Sequence, residues 1–241
     1  MRMLKFLKIS LFILPLMGGN FVYSGEVEPP QQGSKIVEDI LPVDLAFLPK
    51  DYKGLRYHLL VYPVAKKNQK FPMILALHGT GDKGQNYLEV WKEEAEKRQV
   101  MVLCPDLDMV DVDTFYRLVE EVGKKYPVDK KKLYLAGVSS GALIARWILL
   151  SRPFAWKAAV LIASPGKEPW TSKVDTIRLP PILFVHGGKD PQFDIEEIQK
   201  HVDTLKRRGG RVWFFRYPNA GHEHRQEWNP VIFDWIKNQG K

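Results

Sequence analysis

Two patterns of apolar and polar positions alternate along the chain. Short, β-prone apolar runs are separated by longer segments in which apolar residues recur every three or four positions. The short runs predict buried strands, and the longer segments predict amphipathic helices. The predicted strands are Leu55–Tyr62, Met73–His78, Val100–Cys104, Lys132–Ala136, Ala158–Ile162, Ile182–His186 and Val212–Tyr217. The predicted helices are Tyr87–Arg98, Thr114–Lys125, Ala142–Leu150, Ile195–Arg207 and Gln226–Asn238. Because strands and helices alternate, the sequence predicts an α/β fold with a mostly parallel, twisted sheet and helices on both faces.

Three segments refine this prediction. Leu55–Tyr62 alternates between apolar and polar positions, which is typical of an antiparallel edge strand. Ala142–Leu150 is apolar nearly all round, so this helix is expected to be buried. Only a short segment rich in Pro, Gly and Ser joins Ala163 to Ile182, which leaves no room for a helical lid. Trp170 in this segment is expected either to line an open cleft or to pack on its own loop.

The pentapeptide Gly137-Val138-Ser139-Ser140-Gly141 lies between a predicted strand and a predicted helix. A G-x-S-x-G sequence in this setting is typical of a nucleophile elbow, in which a sharp turn exposes the serine hydroxyl. The glycines leave room where the strand and the helix nearly touch. Only Ser139 has a glycine two residues away on both sides, so Ser140 is not the nucleophile of this pattern. The pentapeptide alone is equally compatible with a small-residue turn that has no catalytic role.

A serine nucleophile needs a base, an acid that orients the base, and hydrogen-bond donors for the oxyanion. Asp190 follows the strand Ile182–His186, and His222 follows the strand Val212–Tyr217. Doubly wound sheets carry functional side chains at these carboxyl ends. The sequence therefore predicts that Ser139, Asp190 and His222 act together as nucleophile, acid and base.

Other residues compete for two of these roles. His224 is the rival base, but only His222 has a preceding glycine, which allows a tight loop to present it. Asp194 and Glu223 are the rival acids, and Asp194 is expected to cap the helix that begins at Ile195. The remaining histidines are expected to be packed, solvated or hydrogen-bonded to their own loops: His58, His78, His186 and His201.

One candidate donor for the oxyanion lies in the loop after the strand that ends in His78-Gly79. The loop after it can turn the Thr80 N–H toward Ser139, and the Ser140 N–H is the second donor. Loss of one such donor typically costs about 3–4 kcal/mol of transition-state stabilisation.

The first residues have the features of a secretory signal peptide. Arg2, Lys5 and Lys8 precede a short apolar run, and small residues lie at the −3 and −1 positions of a cleavage site after Ser24. Cleavage after Ser24 or the next residue would make the protein periplasmic or secreted, and an uncleaved anchor is the alternative. The predicted divisions are a signal peptide over 1–24, a lead-in over 25–50 and one catalytic domain over 51–241.

Charge and cysteine content exclude several classes of protein. The formal net charge of +8 falls to +5 without the three cations of the signal peptide, and the others are spread along the chain. A nucleic-acid-binding protein would have a concentrated basic patch with interleaved aromatic residues, so no nucleic-acid partner is predicted. Cys104 is the only cysteine, so no internal disulfide is possible, and its apolar strand predicts an inert buried thiol. No metal-ligand cluster is evident in the sequence, and no cofactor is predicted.

With these residues in place, the chain resembles the α/β-hydrolase superfamily. The likeness is carried by L-H-G-T-G-D-K-G-Q-N-Y, Y-P-V-D-K-K-K-L-Y-L-A-G-V-S-S-G-A, F-V-H-G-G-K-D-P and N-A-G-H. Within the superfamily it is similar to small lidless esterases of the phospholipase/carboxylesterase, dienelactone-hydrolase-like and polyhydroxybutyrate-depolymerase/feruloyl-esterase-like groups. The Ser-Ser-Gly-Ala sequence at the elbow departs from many relatives and leaves the choice among these groups open.

The resemblance implies a serine esterase that needs no cofactor. In it Ser139 is the nucleophile, His222 the base and acid, Asp190 the orienting carboxylate, and Thr80 and Ser140 the oxyanion donors. The expected partner is a small-molecule ester, with no membrane span in the mature form and an oligomeric state that the sequence does not define. The alternatives are a peptidase of prolyl-oligopeptidase type and a non-catalytic descendant of the fold that binds a ligand.

Overall fold

The computed structural model describes residues 33–43, 53–107, 111–166 and 176–239. Eight strands occur among them: β1 Lys35–Leu41, β2 Leu55–Val61, β3 Phe71–Leu77, β4 Met101–Pro105, β5 Val128–Val138, β6 Ala158–Ile162, β7 Ile182–Gly187 and β8 Val212–Tyr217. Five α-helices occur among them: α1 Gly84–Arg98, α2 Val112–Lys125, α3 Ser140–Ser151, α4 Ile195–Arg207 and α5 Asn229–Asn238. Short 3-10 turns lie at Pro153–Ala155, Thr176–Arg178 and Gln226–Trp228. The predicted signal peptide and Trp170 lie outside the described residues.

The strands form one sheet in the order β1-β2-β4-β3-β5-β6-β7-β8. β2 pairs antiparallel with β1 and with β4, and every other neighbouring pair is parallel. Helix α1 packs against α5, and α2 packs against α3, in addition to their contacts with the sheet. The predicted α/β architecture is therefore confirmed. The carboxyl ends of β3, β5, β7 and β8 meet at one edge of the sheet, where functional side chains collect in such folds.

The sheet begins earlier than the sequence predicts. β1 lies within the segment 25–50 that was expected to be a lead-in, and it pairs with β2 along its whole length. β2 is consequently an inner strand, so the expectation of an edge strand at Leu55–Tyr62 is wrong, although its antiparallel direction is confirmed. The hydrophobic pattern does not predict β1, because Leu41 is its only buried residue. Lys35, Glu38 and Asp39 give it the charged character that protects sheet edges from aggregation.

Helix α3 is less buried than its apolar sequence predicts. Trp147 is 51% exposed, whereas the one cation of the helix, Arg146, is fully buried. The Arg146 guanidinium donates to the Pro165 carbonyl oxygen just after β6. The one cation of the helix therefore faces inward, where a backbone acceptor is available, and over Ala142–Leu150 the expectation of burial fails at Trp147 alone.

Other local expectations are confirmed. Asp194 caps α4, since its carboxylate accepts the N–H groups of Glu196 and Glu197 at 2.7 and 3.1 Å. Cys104 is fully buried in β4, and burial raises the pKa of its thiol, so the thiol is unreactive. Between β6 and β7 the described residues contain one 3-10 turn and no lid helix.

Candidate active site

The turn from β5 into α3 holds Ser139 in a strained backbone conformation. Its φ of 54° and ψ of −120° lie in a region that residues with a side chain rarely adopt. The Ser139 N–H donates to the Ile162 carbonyl oxygen at 3.0 Å, which fixes the turn to β6. A Cβ on Gly137 would lie 2.4 Å from the Gly141 oxygen, and a Cβ on Gly141 would lie 2.2 Å from the Leu77 oxygen. Both glycines of the G-x-S-x-G sequence are therefore required by the close approach of β3, β5 and α3.

The structure brings Ser139, His222 and Asp190 together in one hydrogen-bonded row. Ser139 Oγ lies 2.8 Å from His222 Nε2, and His222 Nδ1 lies 2.8 Å from Asp190 Oδ2. A carboxylate only accepts, so the Nδ1 of His222 carries the hydrogen and its Nε2 is free to accept the serine proton. The His222 side chain is 13% exposed and that of Asp190 is fully buried, so water reaches the row at His222 but not at Asp190.

The Asp190 carboxylate is held by donors from its own loop. Its Oδ1 accepts the backbone N–H groups of Gln192 and Phe193 at 2.8 and 3.0 Å. Its Oδ2 accepts the His222 N–H. Charge-assisted hydrogen bonds of this kind compensate the burial of a carboxylate. Asp190 is thus oriented before any substrate binds.

The two predicted oxyanion donors lie on neighbouring segments that a side-chain hydrogen bond links. The Thr80 hydroxyl donates to Ser140 Oγ at 2.9 Å, which joins the loop after β3 to the first turn of α3. Among the described residues, neither the Thr80 N–H nor the Ser140 N–H donates to a protein acceptor. Two N–H groups beside the serine are therefore available to a ligand.

His78 has the structural role that its sequence context predicts. Its Nδ1–H donates to the Gly79 carbonyl oxygen at 2.8 Å, and its Nε2 accepts the Leu107 N–H at 3.0 Å. The imidazole is therefore neutral in this arrangement and ties the loop before Thr80 to the end of β4.

The rival base His224 and the rival acid Glu223 are hydrogen-bonded to other residues. The His224 Nε2–H donates to Asn229 Oδ1 at 2.9 Å, and the Tyr87 hydroxyl donates to its Nδ1 at 3.2 Å. Both of its nitrogens are occupied, which leaves neither for a serine proton. Glu223 accepts from the Gly221 N–H and from Arg225 instead of from His222.

Burial of His224 predicts a pH dependence of stability. Burial lowers the pKa of His224 from 6.5 to about 4. Between these pH values the unfolded chain binds more protons than the folded chain, so the free energy of unfolding falls as the pH falls from about 6.5 toward 4. From pH 7 to pH 5 this group alone lowers the free energy of unfolding by about 2 kcal/mol.

The measurement is urea unfolding at both pH values for the native protein and for His224→Gln. Glutamine retains a donor for Asn229 but does not titrate, so the variant is expected to lose about 2 kcal/mol less than the native protein between pH 7 and pH 5. His186 and His201, whose pKa values burial also lowers, are present in both proteins. Equal losses in the two proteins would contradict the prediction.

Two contacts of the site were not predicted from the sequence. His186 was expected to bond its own loop, and it does donate to the Phe193 carbonyl oxygen, but its Nε2 also lies 3.2 Å from Asp190 Oδ2. The Phe193 ring packs edge-on against the His222 ring, with 5.3 Å between the centroids. The first contact could have been predicted from the spacing of His186 and Asp190, which lie four residues apart across the end of a strand. The contact of Phe193 has no signal in the sequence.

The described residues contain neither a metal site nor a membrane-spanning helix. They contain no group of three or more His, Cys, Asp or Glu side chains that could hold a metal ion. None of the helices among them is long and apolar enough to cross a lipid bilayer.

Comparisons with known proteins agree with the fold. The sequence model of the dienelactone hydrolase family matches residues 62–233 of this chain. The S-formylglutathione hydrolase FrmB of Staphylococcus aureus superposes with a TM-score of 0.68 at 14% identity, over 87% of this chain and all of that one. This likeness shows that the chain has the α/β-hydrolase fold that the sequence predicted.

Two longer proteins are similar in sequence. The bifunctional acetylxylan esterase/xylanase XynS20E of Neocallimastix patriciarum is 23% identical over 207 residues, which cover 77% of this chain and 29% of that protein. The uncharacterized peptidase YuxL of Bacillus subtilis (strain 168) is 26% identical over 152 residues, which cover 50% of this chain and 23% of that protein. The chain spans less than a third of the length of either relative. The match over residues 62–233, together with the fold, shows that the chain belongs to the dienelactone hydrolase family.

Proposed function

We propose that this chain is a serine-dependent carboxylic-ester hydrolase that acts through an acyl-enzyme on small to medium esters. The observation that carries the proposal is the row of two 2.8 Å hydrogen bonds from Ser139 through His222 to Asp190. Such a row allows a base to remove the serine proton while a carboxylate stabilises the imidazolium that forms. Membership of the dienelactone hydrolase family supports the same reaction class.

In the proposed mechanism Ser139 Oγ attacks the ester carbonyl carbon as its proton passes to His222 Nε2. The carbonyl oxygen becomes an oxyanion that the Thr80 and Ser140 N–H groups bind. His222 then gives the proton to the leaving alkoxide, so an alcohol departs and the acyl group stays on Ser139. Water attacks this acyl-enzyme with His222 again as base, and the carboxylic acid leaves as Ser139 recovers its proton.

Hydrolysis of p-nitrophenyl esters of increasing acyl length tests the substrate class. We expect saturable hydrolysis that declines once the acyl chain exceeds the pocket, because each methylene that fits or fails to fit changes binding by about 1–3 kcal/mol. A panel of peptide p-nitroanilides serves as the comparison, since one relative of this chain is named as a peptidase. Faster cleavage of any peptide than of every ester would overturn the esterase proposal in favour of a peptidase.

We further propose that the chain is exported and acts on esters in the cell envelope or outside the cell. The support is the signal-peptide pattern of the first 24 residues. Expression of the full chain in a bacterium, followed by N-terminal sequencing of the periplasmic fraction, is expected to give a protein that begins at Gly25 or the next residue. Recovery of the uncleaved chain in the cytoplasm would contradict export, and recovery of the uncleaved chain in the membrane would indicate an anchor.

A further inference from the structure

A buried histidine outside the proposed proton relay contacts the carboxylate of that relay. His186 is the next-to-last residue of β7 and is 1% exposed. Its Nε2 lies 2.9 Å from the Phe193 carbonyl oxygen and 3.2 Å from Asp190 Oδ2. Because a carbonyl oxygen only accepts, the Nε2 carries the hydrogen and donates it to Phe193. The N–H end of the imidazole therefore lies beside the Asp190 carboxylate.

The surroundings of His186 keep its imidazole neutral. Its Nδ1 is buried and has no hydrogen-bond partner among the described residues, so a second proton would have no acceptor. Burial lowers the pKa of His186; the carboxylates of Asp190 and Asp194 act in the opposite direction, and His222 adds to the lowering. A neutral imidazole presents a fixed dipole to Asp190. It therefore does not compete with His222 for the proton of Ser139.

Phe193 links His186 to the proposed base by two routes. The Phe193 N–H donates to Asp190 Oδ1 at 3.0 Å, while the Phe193 carbonyl oxygen accepts from His186. The Phe193 ring meets the His222 ring edge to face, at an interplanar angle of 66°. Contacts with Asp190 on one side and with Phe193 on another thus restrict the orientation of the His222 ring. Both of these residues belong to the turn that His186 bonds from β7.

We propose that His186 is a positioning residue that fixes the turn from Asp190 to Phe193 and thereby keeps His222 aligned with Ser139. The inference rests on the proposed function, because alignment matters only if His222 transfers a proton. A misplaced base slows the chemical step without weakening substrate binding. Loss of His186 should therefore lower kcat per folded molecule and leave KM nearly unchanged, whereas a purely structural role would lower the folded fraction and leave kcat per folded molecule unchanged.

The test compares His186→Gln with His186→Leu. The Gln side-chain nitrogen lies the same number of bonds from Cα as the imidazole Nε2, so it can restore the donor, whereas leucine fills the space without one. We expect Leu to lower kcat for p-nitrophenyl acetate at least about tenfold with KM within about twofold, and Gln to recover kcat to within about threefold of the native value. His186→Asn, whose amide is one bond shorter, replaces Leu if the latter does not fold.

A second measurement does not depend on turnover. The proton between His222 Nδ1 and Asp190 gives a far-downfield NMR signal, which is identified by its absence from His222→Ala. We expect this signal to be sharp in the native protein and in His186→Gln, and to be broadened or lost in His186→Leu. A sharp signal and native kcat in His186→Leu would overturn the inference, as would equal losses in both variants. If the native protein hydrolyses no ester, the proposed function fails, and the NMR comparison alone decides the role of His186.

Discussion

Replacement of Ser139 by alanine is expected to reduce ester hydrolysis at least about 10⁴-fold, to the limit of the assay. The variant loses the atom that forms the acyl-enzyme, which lies 2.8 Å from His222 Nε2. The fold should survive, because the strained turn is held by backbone contacts, including the Ser139 N–H to Ile162 bond. The measurement is kcat/KM for p-nitrophenyl acetate, with the melting temperature as a check on folding.

Ser140→Ala is the matched control for this prediction. Among the described residues the Ser140 hydroxyl accepts one hydrogen bond, from the exposed Thr80 side chain, and the Ser140 N–H that would bind the oxyanion is kept. We expect kcat/KM of this variant to stay within about tenfold of the native value, because a solvent-exposed hydrogen bond contributes about 1 kcal/mol. If Ser140→Ala were inactive and Ser139→Ala active, the assignment of the nucleophile would be wrong.

Replacement of Asp190 by asparagine is expected to lower kcat/KM by about 10³–10⁴-fold with little effect on KM. The loop N–H groups of Gln192 and Phe193 both point at Oδ1, so they will hold the amide oxygen in that position. The amide NH₂ must then occupy the place of Oδ2, where it faces His222 Nδ1. His222 Nδ1 can accept a hydrogen bond from this NH₂ only if its own hydrogen moves to Nε2. In that tautomer Nε2 cannot accept the proton of Ser139.

The same substitution also places the amide NH₂ against the Nε2–H of His186, 3.2 Å from Oδ2 in the native protein. Asp194→Asn is the control, because asparagine caps a helix as well as aspartate does and this residue does not contact His222. We expect native kinetics from Asp194→Asn over the whole pH range. Native kcat from Asp190→Asn would show that His222 is oriented by something other than this carboxylate.

The sequence predicts the bounds of β6, β8 and α4 more accurately than those of β1 and β5. The bounds of β6, β8 and α4 agree with the prediction to the residue, because apolar runs and a capping aspartate define them. β1 was missed because an edge strand buries little and carries charges. The exposure of Trp147 was missed because an apolar pattern does not reveal which side of a helix the protein leaves uncovered.

In the site, the three reacting residues could be predicted from sequence patterns, but the contacts around them could not. Ser139, Asp190 and His222 could be chosen because each follows a predicted strand and has its own local signal. The preference for His222 over His224 rested on one glycine, and the structure gives the physical reason, since both nitrogens of His224 are occupied. The contacts among His186, Phe193 and His222 depend on the path of one loop, which no periodicity specifies.

The central claim is that Ser139 is a nucleophile activated by His222. Intact-mass analysis after reaction with a fluorophosphonate tests this claim without knowledge of the natural substrate. We expect one adduct per chain, which digestion assigns to the peptide that contains Ser139, no adduct in Ser139→Ala, and labelling at least about 100-fold slower in His222→Ala. A native protein that stays unlabelled, or one labelled at the same rate without His222, would show that Ser139 is not a nucleophile activated by His222.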